Sequence, residues 1–261
     1  MDLNIRDRVV FIAGGAGDIG ESILKAFAQQ HAKVIIGDVN EKKAGEIAKG
    51  SGELEVSACR LDVTSEESIK KAVDFVKRKY GKIDVLVNVV GILCRKSFFQ
   101  ATKQDFEKSF SINVTGMFLV SQAIAELMRA DQGGSIINIS SMNGKMAAEN
   151  RVVYGATKAA VNLLTKSMAL ELGPFGINVN AVAPGVVDSK MARVRLNTPE
   201  LIKQYENSIP LNRLADPTDV AHCVVFLASP YAKYISGEII LVDGALCTRM
   251  SLPRKFDFGQ E

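Results

Sequence analysis

Short apolar runs alternate with longer amphipathic stretches from one end of the chain to the other. Arg8 to Ala13 reads as a buried strand, and a helical stretch follows from about Ile19 to Gln30. Lys33 to Asp38 is a second strand and Glu41 to Lys49 a second helix. Glu53 to Arg60 is strand-like. Ser65 to Tyr80 is helical, with Ile69, Val73 and Val76 near the 3.6-residue spacing of one helix face. Val85 to Asn88 is a fourth strand, Lys103 to Met128 a long helix, Ser135 to Ile139 a fifth strand and Val153 to Leu172 another long helix. Asn178 to Val182 and Glu238 to Val242 complete a set of seven strands. Strands apolar at every position are buried on both faces, which is the habit of a parallel sheet covered by helices. The alternation of β and α predicts an α/β protein with a single-domain Rossmann fold: a doubly wound, seven-stranded parallel sheet with helices on both faces. There is no repeat, low-complexity segment or linker, so residues 1–261 are expected to form one domain.

Composition narrows the function classes. At 47% hydrophobic and 23% charged, the chain has ample material for a core, and its net charge of +3 gives no basic stripe for nucleic acid. No apolar run reaches the roughly 20 residues of a spanning helix, so no membrane partner is expected. The charged start, Met1 to Arg8, has no signal-peptide apolar stretch, and a cytoplasmic location is expected. Cys59, Cys94, Cys223 and Cys247 are scattered without CxxC spacing, and only His31 and His222 are present. Neither a metal site nor a histidine-based triad is indicated.

The first strand runs into Ala13-Gly14-Gly15-Ala16-Gly17-Asp18-Ile19-Gly20, where a helix begins. Glycines let the backbone turn tightly and approach a pyrophosphate, and the helix N-terminus offers free N–H groups and a positive dipole end. Glycine turns also serve close packing alone, but here the order is strand, glycine turn, helix, strand. The next strand ends at Asp38, eighteen residues beyond Gly20. A carboxylate there accepts both adenosine-ribose hydroxyls and repels a 2′-phosphate, and neither Gly17 nor Val39 supplies an arginine to hold one. The expected cofactor is therefore NAD rather than NADP. The plainer role for Asp38 is to cap the following helix.

Tyr154 and Lys158 stand at i and i+4 on one helical face. A phenol titrates near 10, and a neighbouring ammonium favours its ionised form. Bringing it to about 7, where it serves general acid–base work, corresponds to roughly 4 kcal/mol of differential stabilisation. Alone, such a pair is a common surface contact. Ser140-Ser141 follows the fifth strand, at the carboxyl edge where open α/β sheets bind ligands. Asn113 lies inside the long apolar helix, where it is either structural or orders a water chain.

With these residues in view, the chain resembles the short-chain dehydrogenase/reductase family from about Arg8 to Gly244. Ala13 to Gly20 is similar to its TGxxxGxG motif, and Asn113, Ser141, Tyr154 and Lys158 match its catalytic tetrad, Ser141 standing thirteen residues before the tyrosine. Asp62-Val63 resembles the segment that contacts adenine, and Asn88 to Gly91 the NNAG turn. Pro184-Gly185-Val186-Val187-Asp188-Ser189 resembles the PGxxxT segment that holds the nicotinamide carboxamide. The resemblance implies a cofactor site of Gly14, Gly15, Gly17, Asp18, Ile19, Gly20, Asp38, Val39, Asp62, Val63, Asn88, Gly91, Tyr154, Lys158, Pro184, Gly185, Val187 and Ser189. It implies that Tyr154 exchanges a proton with the substrate oxygen. Lys158 lowers the tyrosine pKa and binds the nicotinamide ribose, Ser141 hydrogen-bonds the same oxygen, and Asn113 holds a water that links Lys158 to solvent. Departures are Ala13 for Thr, Asp18 for the second motif glycine, Val89-Val90 for Asn-Ala and Ser189 for Thr. Asp18 either caps its helix or crowds the pyrophosphate.

The expected function is that of an NAD(H)-dependent oxidoreductase interconverting a secondary alcohol and a ketone on a small hydroxylated metabolite: a polyol, a sugar, a hydroxy acid or its thioester. The alternatives are a 3-oxoacyl reductase of fatty-acid type, against which Asp38 argues, and a non-catalytic binding protein on the same fold. The resemblance places a substrate lid at about residues 190–212 and implies a homo-oligomer, tetramer or dimer. Val153, Val161, Leu164 and Met168 suit its interface and core burial equally. Lys190, Arg193, Arg195 and Lys203, with Arg95, Lys96, Lys145 and Arg151 on other pocket loops, either receive an anionic substrate or are solvated charge. Asn143, Glu149 and Asn150 suit a polyol or sugar instead.

Overall fold

A computed structural model describes residues 3–131, 133–194 and 196–248. The strands are β1 (Val9–Ala13), β2 (Lys33–Asp38), β3 (Val56–Arg60), β4 (Val85–Asn88), β5 (Gly134–Ile139), β6 (Ile177–Pro184) and β7 (Ile239–Val242). They form one sheet in the order β3-β2-β1-β4-β5-β6-β7, every neighbouring pair parallel. The seven-stranded, doubly wound arrangement expected from the alternation is the one observed. Each strand's period of two feeds two cores. Val10, Ile12, Val34, Ile36, Val85, Val87 and Ile137 pack with helix α1 (Asp18–Gln29) and, later in the chain, Pro217–Leu227. On the opposite face Val9, Phe11, Ile35, Leu86 and Ile136 pack with α3 (Glu66–Tyr80) and the helices that flank it.

The helix α2 (Glu41–Gly50) starts where Asn40 accepts from the Lys43 N–H, and α3 where Ser65 accepts from that of Ser68. The long helix expected from Lys103 is interrupted. It runs as α4 (Lys103–Phe110), a π turn (Ser111–Gly116) and α5 (Met117–Ala130). The whole span is long and apolar enough, by length and composition, to cross a membrane, which the residue-by-residue reading did not anticipate. In the fold, Met117, Val120, Ile124 and Met128 face the core, and the span packs on α3 and α6 (Val152–Leu172).

Between β6 and β7 come α7 (Lys190–Arg193), α8 (Pro199–Ser208) and α9 (Pro217–Leu227). The last two are helices the periodicity reading passed over. The start of α9 carries a local signal: Pro217 at the first helical position, with a capping box between Asp216 and Asp219. Val153, Val161 and Met168 are core residues, so only Leu163 and Leu170 leave α6 with a large exposed apolar surface past its first turn. The tail from Cys247 lies outside the described residues after Thr248, as does Arg195.

A buried polar ladder ties the second face together. Asn88 and Asn138, paired across β4 and β5, share a hydrogen bond of 2.8 Å. Asn88 Nδ2 also donates to Ser121 on α5, and Asn138 Nδ2 to Thr165 on α6. The π turn is pressed against the loop after β3: a Cβ on Gly116 would lie 2.8 Å from Val63 Cβ and 2.9 Å from its carbonyl oxygen. Gly116→Ala in a helix interior normally gains about 1 kcal/mol. Here it is expected to cost about 1–3 kcal/mol through overpacking, read as a lower midpoint in denaturant unfolding.

Candidate active site

The strand order reverses between β1 and β4, and the chain leaves their carboxyl ends in opposite directions. The crevice this opens is where open α/β sheets take ligands. Two cavities of about 670 and 480 Å³ lie there. They share Ile19, Val89, Gly91, Ile92 and Ser189 as walls, so they are two ends of one cleft.

The larger cavity is lined by Gly14, Gly17, Asp18, Ile19, Gly20, Asp38, Val39, Asp62, Val63 and Gly91 of the expected cofactor set. Its floor requires glycine. Gly14 has φ +84°, and a Cβ there would lie 2.7 Å from the Val90 nitrogen. A Cβ on Gly20 would meet the Gly15 Cα at 2.7 Å, whereas Gly17 faces open space. Gly17 is the N-cap of α1 and brings no capping side chain, so the first N–H groups of the helix are presented to the cleft. That is a cradle for a phosphate group, and the residues fit a dinucleotide. Asp38 spans the glycine turn: its Oδ2 accepts from the Ala16 N–H at 3.0 Å and its Oδ1 from that of Asn40 at 2.9 Å. Its capping of the next helix is therefore indirect, since Asn40 is the N-cap of α2.

Asp18 does not cap α1, whose N-cap is Gly17. Its Oδ2 accepts from the Lys190 N–H at 2.5 Å, and its Oδ1 lies 4.0 Å from Lys190 Nζ. Two residues expected at the cofactor are placed elsewhere: Gly15 packs against Ile36 and Ile12, and the Asn88 side chain is spent on the buried ladder. Lys43, which the sequence reading did not single out, lines the cavity and donates through Nζ to the Ala16 carbonyl oxygen. Only its place one turn into α2, facing the glycine loop, hints at that role.

The smaller cavity gathers Ser141, Tyr154 and Lys158 with Pro184, Gly185, Val187 and Ser189. Ser141 follows β5 in extended backbone and is the N-cap of a short turn, accepting from the Asn143 N–H at 3.1 Å. It is near enough to Tyr154 to act on the phenol, whereas Ser140 turns away to Asn162. Tyr154 lies in the first turn of α6, whose positive end favours an anion. Burial nonetheless pushes its phenol above the ordinary value near 10, with Ser141 and then the Arg151 charge pulling it back down. The Lys158 ammonium lies 5.8 Å from the Tyr154 ring centre and donates to the Ile139 carbonyl oxygen at 2.7 Å. Burial lowers the Lys158 pKa to about 8.

Asn113 does not line the cleft wall. It is 1% exposed within the π turn, and its amide bonds both ways to the Ile92 backbone, at 2.8 and 2.9 Å, and to Thr157 at 3.1 Å. It thereby staples the loop after β4 to the helix that carries Tyr154 and Lys158.

The structure sorts the basic residues near the cleft. Arg193 pairs with Asp188, Lys96 with Asp105 and Lys203 with Glu206, and Lys145 donates to the Ile239 carbonyl oxygen. Arg95 and Arg151 line the smaller cavity, together with Glu149 and Asn143. The other walls are apolar or aromatic and include Leu93, Leu196 and Tyr205. Among the described residues no group of His, Cys, Asp and Glu is arranged to hold a metal ion.

A cleft with a phosphate cradle at one end and a serine, tyrosine and buried lysine at the other suits hydride exchange between a nucleotide and a carbinol carbon. Known proteins agree with that chemistry. A family model described as enoyl-(acyl carrier protein) reductase matches residues 14–246. The chain is 36% identical to a 3-oxoacyl-(acyl-carrier-protein) reductase of Thermotoga maritima, covering 94% of this chain and 99% of that one. Its fold matches a gluconate 5-dehydrogenase from Burkholderia cenocepacia solved with NADP and tartrate, with TM-score 0.91, 29% identity, and 95% and 98% of the two chains covered. It also matches a 7α-hydroxysteroid dehydrogenase solved with NADH and 7-oxo glycochenodeoxycholic acid, with TM-score 0.88, 33% identity, and 93% and 95% covered. The chain belongs to the short-chain dehydrogenase/reductase family and is an oxidoreductase acting between alcohols and ketones with a nicotinamide nucleotide.

Proposed function

We propose that the protein is an NAD(H)-dependent dehydrogenase of a small hydroxylated metabolite, with Asn113, Ser141, Tyr154 and Lys158 as its working set. The observation that carries this is the convergence of Ser141, Tyr154 and Lys158 on one cavity that opens into the glycine-floored cavity. The cofactor, when bound, supplies the hydride acceptor or donor. Tyr154 exchanges the proton of the substrate oxygen, and Ser141 donates a hydrogen bond to that oxygen as charge develops on it. Lys158 holds a positive charge near the phenol when protonated and reaches toward the nicotinamide ribose. Asn113 is a positioning residue, because its amide fixes both Ile92 and Thr157. Pro184, Gly185, Val187 and Ser189 hold the nicotinamide end, and the segment 190–212 closes over the substrate. The protein acts as one domain and as a homo-oligomer, with the α5 and α6 faces as the contact.

The preference for NAD rests on Asp38. Both of its oxygens already accept a backbone N–H yet keep lone pairs for ribose hydroxyls, and its charge opposes a 2′-phosphate. Lys43 is the only cation lining that end of the cavity among the described residues apart from Lys190, and its ammonium is bound to Ala16.

Tyr154→Phe is expected to reduce kcat by at least about a hundredfold, the usual worth of a positioned acid–base group, with NADH affinity nearly unchanged by fluorescence titration. Retained turnover defeats the assignment. In steady-state kinetics, NAD⁺ is expected to be preferred over NADP⁺, and Asp38→Ser to narrow the gap by about tenfold or more. Equal use of both nucleotides by the parent protein contradicts the Asp38 argument.

The buried Lys158 also sets a pH dependence of stability. Its folded pKa near 8 lies below its unfolded value, so the unfolded chain binds the extra proton between about pH 8 and 10.5, and stability is lost as pH falls across that window to the folded value. The thiols of the buried Cys59 and the half-buried Cys223 and Cys247, raised to about 12, 11 and 11, act oppositely above about pH 9. Comparison with Lys158→Met removes their contribution. The stability advantage of that variant at pH 7 is expected to shrink steadily by pH 9.5 in urea unfolding, and a constant difference argues against the buried ammonium.

A further inference from the structure

Arg95 and Arg151 come from distant parts of the chain but from segments joined side by side. A parallel β-bridge links Lys96 to Arg151, so the loop after β4 and the start of α6 travel together at the rim of the smaller cavity. The loop is held from behind, because Lys96 pairs with Asp105 at 2.8 Å and Asp105 closes the capping box with Thr102. Lys96 is thus committed to structure; Arg95 and Arg151 are among the residues that line the cavity. Arg151 stands three residues before Tyr154, on the same face of the helix start, and its charge is felt by the phenol. The one acid lining the cavity is Glu149, so with Arg95, Arg151 and Lys158 the lining is net positive.

Resting on the dehydrogenase reading above, we propose that Arg95 and Arg151 form a carboxylate subsite, and that the substrate is a hydroxy acid, or its oxo acid, whose carbinol carbon lies at Tyr154 and Ser141 while its carboxylate meets the two arginines. Planar guanidinium forks match a carboxylate with two parallel hydrogen bonds. A net positive lining favours an anion over a neutral ligand. A neutral polyol would bring no counter-charge to this rim. The apolar and aromatic wall at Leu196 and Tyr205 then takes the carbon skeleton.

The test uses matched pairs that differ only in the carboxylate: glycerate and glycerol, 3-hydroxybutyrate and butane-1,3-diol, gluconate and glucitol. Binding of each to the full-length, NAD⁺-loaded protein is measured by calorimetry, alongside kcat/KM where turnover occurs. In at least one pair the acid is expected to win by about tenfold or more, and Arg95→Ala and Arg151→Lys each to remove most of that advantage. Thermal unfolding of both variants reports whether the fold is intact, and Arg151→Lys keeps the charge while losing the fork. A smaller advantage in every pair, or one that survives both substitutions, overturns the subsite. Tyr154-dependent oxidation of the neutral partners in preference to the acids would do the same and leave the dehydrogenase reading standing. Failure of the parent protein to bind NAD⁺ would sink that reading instead.

Discussion

The architecture depends on one topological constraint: β1 and β4 are neighbours, but the chain leaves their carboxyl ends in opposite directions. A right-handed crossover from a parallel strand can cover only one face, so the winding must reverse there and the sheet edge cannot be roofed over. Gly14, Val89 and Val90 then crowd the gap between the two strand ends, with the Val89 and Val90 N–H groups both donating to the Ala13 carbonyl oxygen. The replacement of the family's Asn-Ala by Val-Val is compatible with this, because the backbone makes those two bonds while the Val89 and Val90 side chains pack against the cores on the two faces of the sheet.

Polar groups buried beside the crevice divide by what satisfies them. Asn88, Asn138, Ser121 and Thr165 bond one another and lock two strands to two helices, with the Asn88 Oδ1 left without a partner. Asn113 spends its amide on one backbone residue and one threonine, so its polarity replaces hydrogen bonds that the loop at Ile92 lacks. Lys158 is different. It is 3% exposed and donates to a single carbonyl, which leaves part of its hydrogen-bonding capacity unused in a region that costs charge several kcal/mol. A side chain that is costly in the folded protein and unnecessary for packing is explained by what it does for a bound molecule.

Most of the sheet was legible because a parallel strand buried on both faces writes itself as an unbroken apolar run, as at Val9 to Ala13 and Lys33 to Asp38. The π turn was not legible. Ser111 to Gly116 is poor in strong helix formers but carries no pattern that marks an extra residue in the turn, and Gly116 there lies against Val63, a contact between segments roughly fifty residues apart. Helix α9 was missed through neglect of a local signal, the Asp216-Pro217 start, because its body is apolar on most sides and so lacks the period that marks a surface helix. At the site, residue types and spacing identified the cluster, but not the partners within it. Which serine turns to Asn162 and which stays on the side of Tyr154 is decided by side-chain direction, and periodicity does not encode that.

Asp18 shows how a local departure is absorbed by tertiary context. A carboxylate at the first residue of α1 stands where an anionic ligand would be repelled, yet its oxygens are turned to Lys190, and the nearby ammonium offsets its charge. The same contact anchors the start of α7 to the glycine turn, with Ser189 one residue earlier lining both cavities. The segment that borders the substrate end of the cleft is therefore tied directly to the residues that cradle the nucleotide. A glycine at position 18 would leave the turn freer and this link absent, so the substitution exchanges backbone freedom at the cradle for a connection between the two ends of the site.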